Sequence, residues 1–185
     1  MAGTQLETKF QQDVMPALRK ELGIANVYRV PRLSKVVVNA GLKLAVQDSK
    51  VIDTAMRDIT AITGQRPTIT KAKKAISNFK LRKGLPIGVR VTLRRNQMYD
   101  FVQRLIGVAL PRVRDFKGVS ATGFDGHGNY TLGITEHVVF PEVDVNKMQH
   151  SYGMNVTFVT TARTDQEGRR LLELLGMPFR QSTQD

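Results

Sequence analysis

The run Ile87-Gly88-Val89-Arg90-Val91-Thr92-Leu93-Arg94 alternates without an error: Ile, Val, Val and Leu occupy the odd positions, Gly, Arg, Thr and Arg the even ones. A period of two is the signature of a half-buried strand, so one face enters a core while the other presents Arg90, Thr92 and Arg94 outward. Upstream, Pro67-Thr68-Ile69-Thr70-Lys71 is a second, shorter strand candidate, with Pro at its first position, where the missing N–H matters least. The segment between them, residues 72–86, is too polar and too punctuated by Gly and Pro to be buried throughout. It reads as a protruding basic hairpin loop in which Ile76 and Phe79 are either anchors or exposed contacts.

This region also holds the charge. After Asp58 the next carboxylate is Asp100, and the interval carries ten basic residues: Arg66, Lys71, Lys73, Lys74, Lys80, Arg82, Lys83, Arg90, Arg94 and Arg95. The whole chain has 28 Lys and Arg against 16 Asp and Glu, a formal net charge of +12, so the rest of the sequence is close to neutral. A charge run is first taken as a solvated face. Here it is interleaved with strand pattern, which makes a binding surface for a polyanion the better reading.

Outward from the basic segment, the pattern predicts helices and strands in mixed order. Thr4 to Leu22 has Leu6, Phe10, Val14, Leu18 and Leu22 at a spacing of four, with Gly23 as the stop and Pro16 imposing a kink or a division into two short helices. Val36-Val37-Val38-Asn39 lies in a strand ending near Gly41, with Lys35, Val37 and Asn39 on one face. Asp48 or Ser49 starts a helix that runs to Gly64, and Asn96 caps another that ends before Pro111. Residues 112–133 form a long Gly-rich loop, Val138-Val139-Phe140 and Val156 to Thr161 are strands, and Thr164-Asp165-Gln166-Glu167 is a capping box opening a last helix. The fold class is therefore α+β, one domain over 1–185, with a mostly antiparallel sheet, helices packed on one face and the other face open for RNA.

Several functions are disfavoured. With no Cys there are no disulfides, thiolate zinc sites or cysteine nucleophiles. No window approaches a membrane span, and Met1 to Lys20 lacks the apolar core of a secretory signal, so a cytoplasmic protein with no membrane partner is expected. A nuclease site needs a carboxylate, His or metal cluster beside the phosphates, and residues 59–99 contain no Asp, Glu or His. His127, His137 and His150 share no ligand spacing and read as surface or loop residues; Asp125-Gly126-His127-Gly128 reads as a turn. No catalytic group, metal or cofactor is expected. A free-standing RNA chaperone, an RNA-acting enzyme and an anionic-lipid binder are the alternatives to a dedicated RNA platform. An Arg-bearing sheet face suits the shallow minor groove of an RNA helix, and an aromatic content of 6% without Trp disfavours a protein that stacks successive bases.

The residues also carry a resemblance. Ile62-Thr63-Gly64-Gln65-Arg66-Pro67, Lys71 through Gly84, and Gly88 through Arg94 closely resemble the family of the fifth-numbered protein of the bacterial large ribosomal subunit. Pro31-Arg32-Leu33, Ala109-Leu110-Pro111-Arg112, Phe124-Asp125-Gly126-x-Gly128-Asn129-Tyr130 and Leu174-Leu175-Gly176-x-Pro178-Phe179 extend the match along nearly the whole chain. The resemblance implies a structural protein that binds 5S ribosomal RNA beside large-subunit RNA and anchors it in the central protuberance. It implies RNA contacts at Asn39, Gln65, Phe79 and Thr92, with Arg66, Lys71, Arg90 and Arg94 as basic neighbours. It further implies that Lys73, Lys74, Ser77, Asn78, Lys80, Arg82 and Lys83 reach the elbow of the peptidyl-site transfer RNA. Arg112, Arg114, Ile134, Thr135, Glu136 and His137 would lie toward a protein of the small-subunit head.

Overall fold

In the computed structural model, which describes residues 4–144 and 150–180, the alternating run is strand β3, Pro86–Leu93. Its sheet is completed by β1 (Leu33–Gly41), β2 (Thr68–Lys71), β4 (Tyr130–Ile134) and β5 (Met154–Thr160), in the antiparallel order β2-β3-β1-β5-β4. Burial follows the sequence period. Val89, Val91 and Leu93 of β3 and Val36, Val38 and Ala40 of β1 are all buried, whereas Arg90 is exposed and Asn39 and Thr92 are half-buried. Helix α3 (Lys50–Thr63) packs on β3, its own stripe of Ile52, Ala55, Ile59 and Ile62 turned inward. It stops at Gly64, whose φ of 70° is the left-handed conformation that ends helices.

The described residues form two compact units. One comprises Val37–Leu93 and Gly133–Val156; the other comprises residues 4–36, Arg94–Leu132 and residues 157–180. In the second, α1 (Gln5–Lys9) and α2 (Met15–Glu21) are joined by a π-turn, Phe10–Val14, which ends two residues before Pro16. The wider turn is how a continuous helical path accommodates a residue with no N–H to donate. Helix α4 (Arg95–Arg104) packs against α1, and α5 (Asp165–Leu175) packs against the π-turn. Thr164 caps α5 as expected, its hydroxyl accepting the Glu167 N–H at 3.3 Å, but the Glu167 carboxylate reaches back past the cap residue to accept the Arg163 N–H at 2.9 Å.

Four expectations are corrected. Val138 to Phe140 is not a strand: His137–Val139 is a 3-10 turn, and its buried pair, His137 and Phe140, is spaced by three. The Gly-rich loop ends early, because Tyr130 to Gly133 belong to β4; Gly133 inside the strand masks its alternation. Asn96 does not cap α4. The chain stays extended through Arg94, whose carbonyl accepts the first helical N–H from Met98 at 3.4 Å, so Asn96 already lies in the first turn. Nor does Pro111 end the helical path, which continues through a π-turn (Leu105–Ala109) into a 3-10 turn (Leu110–Arg112), where Pro at the first turn costs no hydrogen bond.

The approach of β3 to β1 requires a glycine. A Cβ on Gly88 would overlap the Ala40 carbonyl oxygen and lie 3.0 Å from the Thr70 hydroxyl. Gly88→Ala is therefore expected to cost about 1–3 kcal/mol by overpacking, which at roughly 2–4 °C per kcal/mol is a drop of several degrees in Tm. An unchanged Tm on thermal unfolding would show that the strands part without penalty.

Candidate nucleic-acid interface

The uncovered side of β3 sets out the candidate surface. In the register of β2 and β3, Thr68 lies opposite Arg90 and Thr70 opposite Gly88. On the other flank the Leu42 N–H donates to the Ile87 carbonyl at 2.9 Å, and an antiparallel ladder continued from that bond sets Asn39 across from Arg90. Thr68, Arg90 and Asn39 thus form one row across three strands, with Thr92 one step along. Gln65 and Arg66 lead from the end of α3 into β2, with Arg66 lining a cavity beside Met56, Arg57 and Thr60 of the helix. The Thr63 hydroxyl donates to the Ile59 carbonyl at 2.7 Å and receives the Gln65 N–H at 3.4 Å, which fixes the exit of the chain. Arg66, Lys71 and Arg94 are exposed, and Gln65 is half-buried. Thr68 and Thr70 join the expected residues; sequence reasoning misses them, although the alternation of Pro67 to Lys71 carries the signal.

Lys73, Lys74, Ser77, Asn78, Lys80, Arg82 and Lys83 are all exposed. Their backbone is nonetheless tied: the Ala72 N–H donates to Leu85, the Gly84 N–H to Ala72, and Ile76 and Leu81 exchange two bonds of 3.0 Å. The 3-10 turn Ser77–Phe79 ends on Lys80, held at φ 53°. Phe79 is 66% accessible and Ile76 44%, so both side chains are exposed and neither is a buried anchor.

The third group is divided. Arg112, Arg114, Thr135 and Glu136 are exposed, but Ile134 and His137 are core residues. His137 is corrected from a surface position: its imidazole is fully buried, stacked on Tyr152 at 3.8 Å and 11°, so it offers no contact to a partner as it stands. The His137 backbone N–H donates to the Tyr152 carbonyl at 3.1 Å, and Nδ1 lies 3.3 Å from that carbonyl and 3.4 Å from the Tyr152 backbone nitrogen. Nε2 points at the Asp58 carboxylate, 3.6 Å away, which also accepts the Tyr152 hydroxyl at 3.2 Å. Burial lowers the His137 pKa against the opposing pull of Asp58, and burial together with Asp58 raises that of Tyr152. This triad has no sequence signal, since its members lie far apart in the chain.

Asp125 to Asn129 is a turn held by side-chain hydrogen bonds to its backbone. The Asp125 carboxylate accepts the His127 and Asn129 N–H groups at 2.9 and 3.1 Å, and the Asp165 carboxylate accepts those of Gly126 and Gly128 at 3.1 and 2.9 Å. The Asn129 amide and these backbone donors hold the Asp125 pKa below the usual range. Among the described residues, no group of three His, Asp or Glu could hold a metal, and no helix is long and apolar enough to cross a membrane.

Two protein families match the chain: that described as ribosomal protein L5 over residues 26–82, and that described as the C-terminus of the ribosomal L5 proteins over residues 86–179. The large ribosomal subunit protein uL5 of Syntrophotalea carbinolica is 55% identical over 99% of this chain and 100% of the relative. That of Symbiobacterium thermophilum is 58% identical over 94% and 97%, and that of Desulfatibacillum aliphaticivorans 55% identical over 95% and 98%.

The buried imidazole has a pH consequence. The fold holds the neutral form, so the unfolded chain binds the extra proton below its ordinary pKa of about 6.5. The contribution is complete above that pH and is lost as pH falls toward the lowered folded value. Tm should therefore fall as pH is taken from about 7.5 to about 5.5, and His137→Phe, which keeps the stacked ring, should flatten that dependence. A slope unchanged in the variant would assign the titration to other groups.

Proposed function

The chain belongs to the ribosomal protein L5 family, and from that premise we propose that its carboxylate-free sheet face binds 5S ribosomal RNA and anchors it in the central protuberance of the large subunit. As a member of that family it is a structural, non-enzymatic constituent of the large ribosomal subunit in the cytoplasm, with ribosomal RNA as its partner. The observation that carries the proposal is the row Thr68, Arg90 and Asn39 with Thr92 beside it, lying in a chain whose segment 59–99 holds ten cations and no carboxylate. Cations of this kind neutralise phosphates and set affinity, while neutral polar side chains on fixed strands set register through sugar and base-edge contacts. Asn39 and Thr92 are half-buried, so a docked RNA desolvates them and leaves an unpaired group if either is removed.

The loop of Lys73, Lys74, Ser77, Asn78, Lys80, Arg82 and Lys83 then contacts the elbow of the peptidyl-site transfer RNA, a role supported by its exposure and tied backbone. Arg112, Arg114, Thr135 and Glu136 serve the bridge to the small-subunit head, with Ile134 and His137 as buried supports of the segment that carries Thr135 and Glu136. The chain works as one RNA-binding domain.

Titration of the purified protein against 5S RNA and a structured control of equal length, at two salt concentrations, should show a preference on the order of 10³ or more at physiological salt. Thr92→Ala and Asn39→Ala should each weaken cognate binding by about 1–3 kcal/mol while barely changing the control; equal losses on both RNAs would refute the division between affinity and register. Replacing Lys73, Lys74, Arg82 and Lys83 should leave 5S affinity nearly intact and weaken transfer-RNA binding in assembled particles. A large loss of 5S affinity would move the loop into the primary site.

A further inference from the structure

Among the described residues the most exposed large apolar side chain is Tyr28, 89% accessible. It belongs to the unit formed with α1, α2 and α4, not to the one that carries the row of Arg90 and Asn39. Its exposure is built in. Tyr28 lies in the 3-10 turn Val27–Arg29, and the Asn26 side-chain oxygen accepts its N–H at 2.9 Å. The Arg29 and Val30 N–H groups donate to the carbonyls of Asn26 and Val27 at 3.1 and 3.2 Å. From α2 the Arg19 guanidinium donates to the carbonyls of Ile24 and Ala25 at 3.3 and 3.1 Å, and Val30 and Pro31 are buried directly after the turn. A large ring is thus held in water on a fixed backbone, where burial would have been favourable.

Val27, 42% accessible, continues into a groove of about 530 Å³ lined by Met15, Pro16, Ile24 and Ala25 together with Arg19 and Lys20. The charge beside it has one sign. Arg19, Lys20 and Arg29 are exposed cations, while Glu21 is bound at both carboxylate oxygens by Arg170, at 2.5 and 2.7 Å. A planar apolar surface edged by cations is complementary to a flat aromatic group flanked by anions, which is the chemistry of an unpaired nucleobase in an RNA strand. The same pairing of an exposed ring with a following cation occurs at Phe79 and Lys80.

We propose that Tyr28 and its groove form a second RNA contact, stacking one unpaired nucleobase while Arg29 and Lys20 take the flanking phosphates. The proposal goes beyond the basic sheet face and uses none of its residues. One stacked base, unlike a run of them, is compatible with the low aromatic content of the chain.

The chain contains no Trp, so Tyr28→Trp introduces a lone indole at the site. In the full-length protein, a short oligoadenylate is expected to quench that indole, whereas a fully paired RNA duplex of the same length binds without quenching it. Tyr28→Ala should weaken oligoadenylate binding on the order of tenfold and leave duplex binding unchanged, with Tyr28→Phe close to the parent. Oligoadenylate binding without quenching, equal affinity in Tyr28→Ala, or quenching by an acidic peptide in place of RNA would each overturn the proposal. Duplex binding that persists in those cases leaves the basic face standing. Loss of duplex binding with the indole response intact would overturn that face and leave Tyr28 as the RNA contact.

Discussion

Strand β3 has to satisfy two solvents at once, and the rest of the molecule follows from that constraint. Val89, Val91 and Leu93 are at most 3% accessible, while the residues between them are Arg90 and Thr92. A one-residue slip in register would drive Arg90 into the core and Val91 into water, so the register is strongly enforced. What holds it is the close approach of β3 to β1 at Gly88, with α3 laid over the apolar side. The polar face inherits the order of the core: its outward residues are spaced by the same strand geometry that spaces the buried ones.

Electrostatics then works against the free protein and for the complex. Ten cations with no carboxylate among them repel one another, and the two compact units are not treated alike. In the unit of α1, α2, α4 and α5, Arg170 is paired with Glu21 and Glu173, and Arg169 with Glu173. No comparable carboxylate occurs between Asp58 and Asp100. An uncompensated field of this kind raises association rates with a polyanion and makes affinity steeply dependent on salt. On the proposed function, discrimination among RNAs falls to the neutral groups, Asn39, Gln65, Thr68 and Thr92, which carry geometry and no charge.

How much is legible in the sequence depends on how local the determinant is. The alternation of β3, the stripe and terminal Gly64 of α3, and the Thr164 cap of α5 are each decided within a few residues, and each reads correctly from the chain alone. The polar row on β3 is legible for the same reason. Tyr130 to Gly133 reads as loop because Gly133 breaks the pattern; its strand identity comes from β5 alongside it, a partner distant in the chain. Val138 to Phe140 has strand composition, but the buried members His137 and Phe140 are spaced by three. His137 shows the limit most clearly. Its neighbours Glu136 and Thr135 are exposed, and only the arrival of Asp58 and Tyr152 makes an imidazole tolerable at zero accessibility.

Rigidity also separates a ribosomal constituent from an RNA chaperone with the same charge. A chaperone benefits from exposed segments that adapt to many RNAs, and ordering them costs affinity at each encounter. Here the two most exposed rings, Tyr28 and Phe79, sit on hydrogen-bonded 3-10 turns, Tyr28 behind the Asn26 cap and Phe79 between the Ile76–Leu81 bonds. Lys80 adopts a left-handed conformation that a side chain takes only at some cost, and it does so to close the second of these turns. Such turns pay the ordering entropy at folding, before any RNA is present. A surface prepared in that way gains most when it meets one shape repeatedly, as in an assembly with a fixed RNA partner, and gains little from promiscuity.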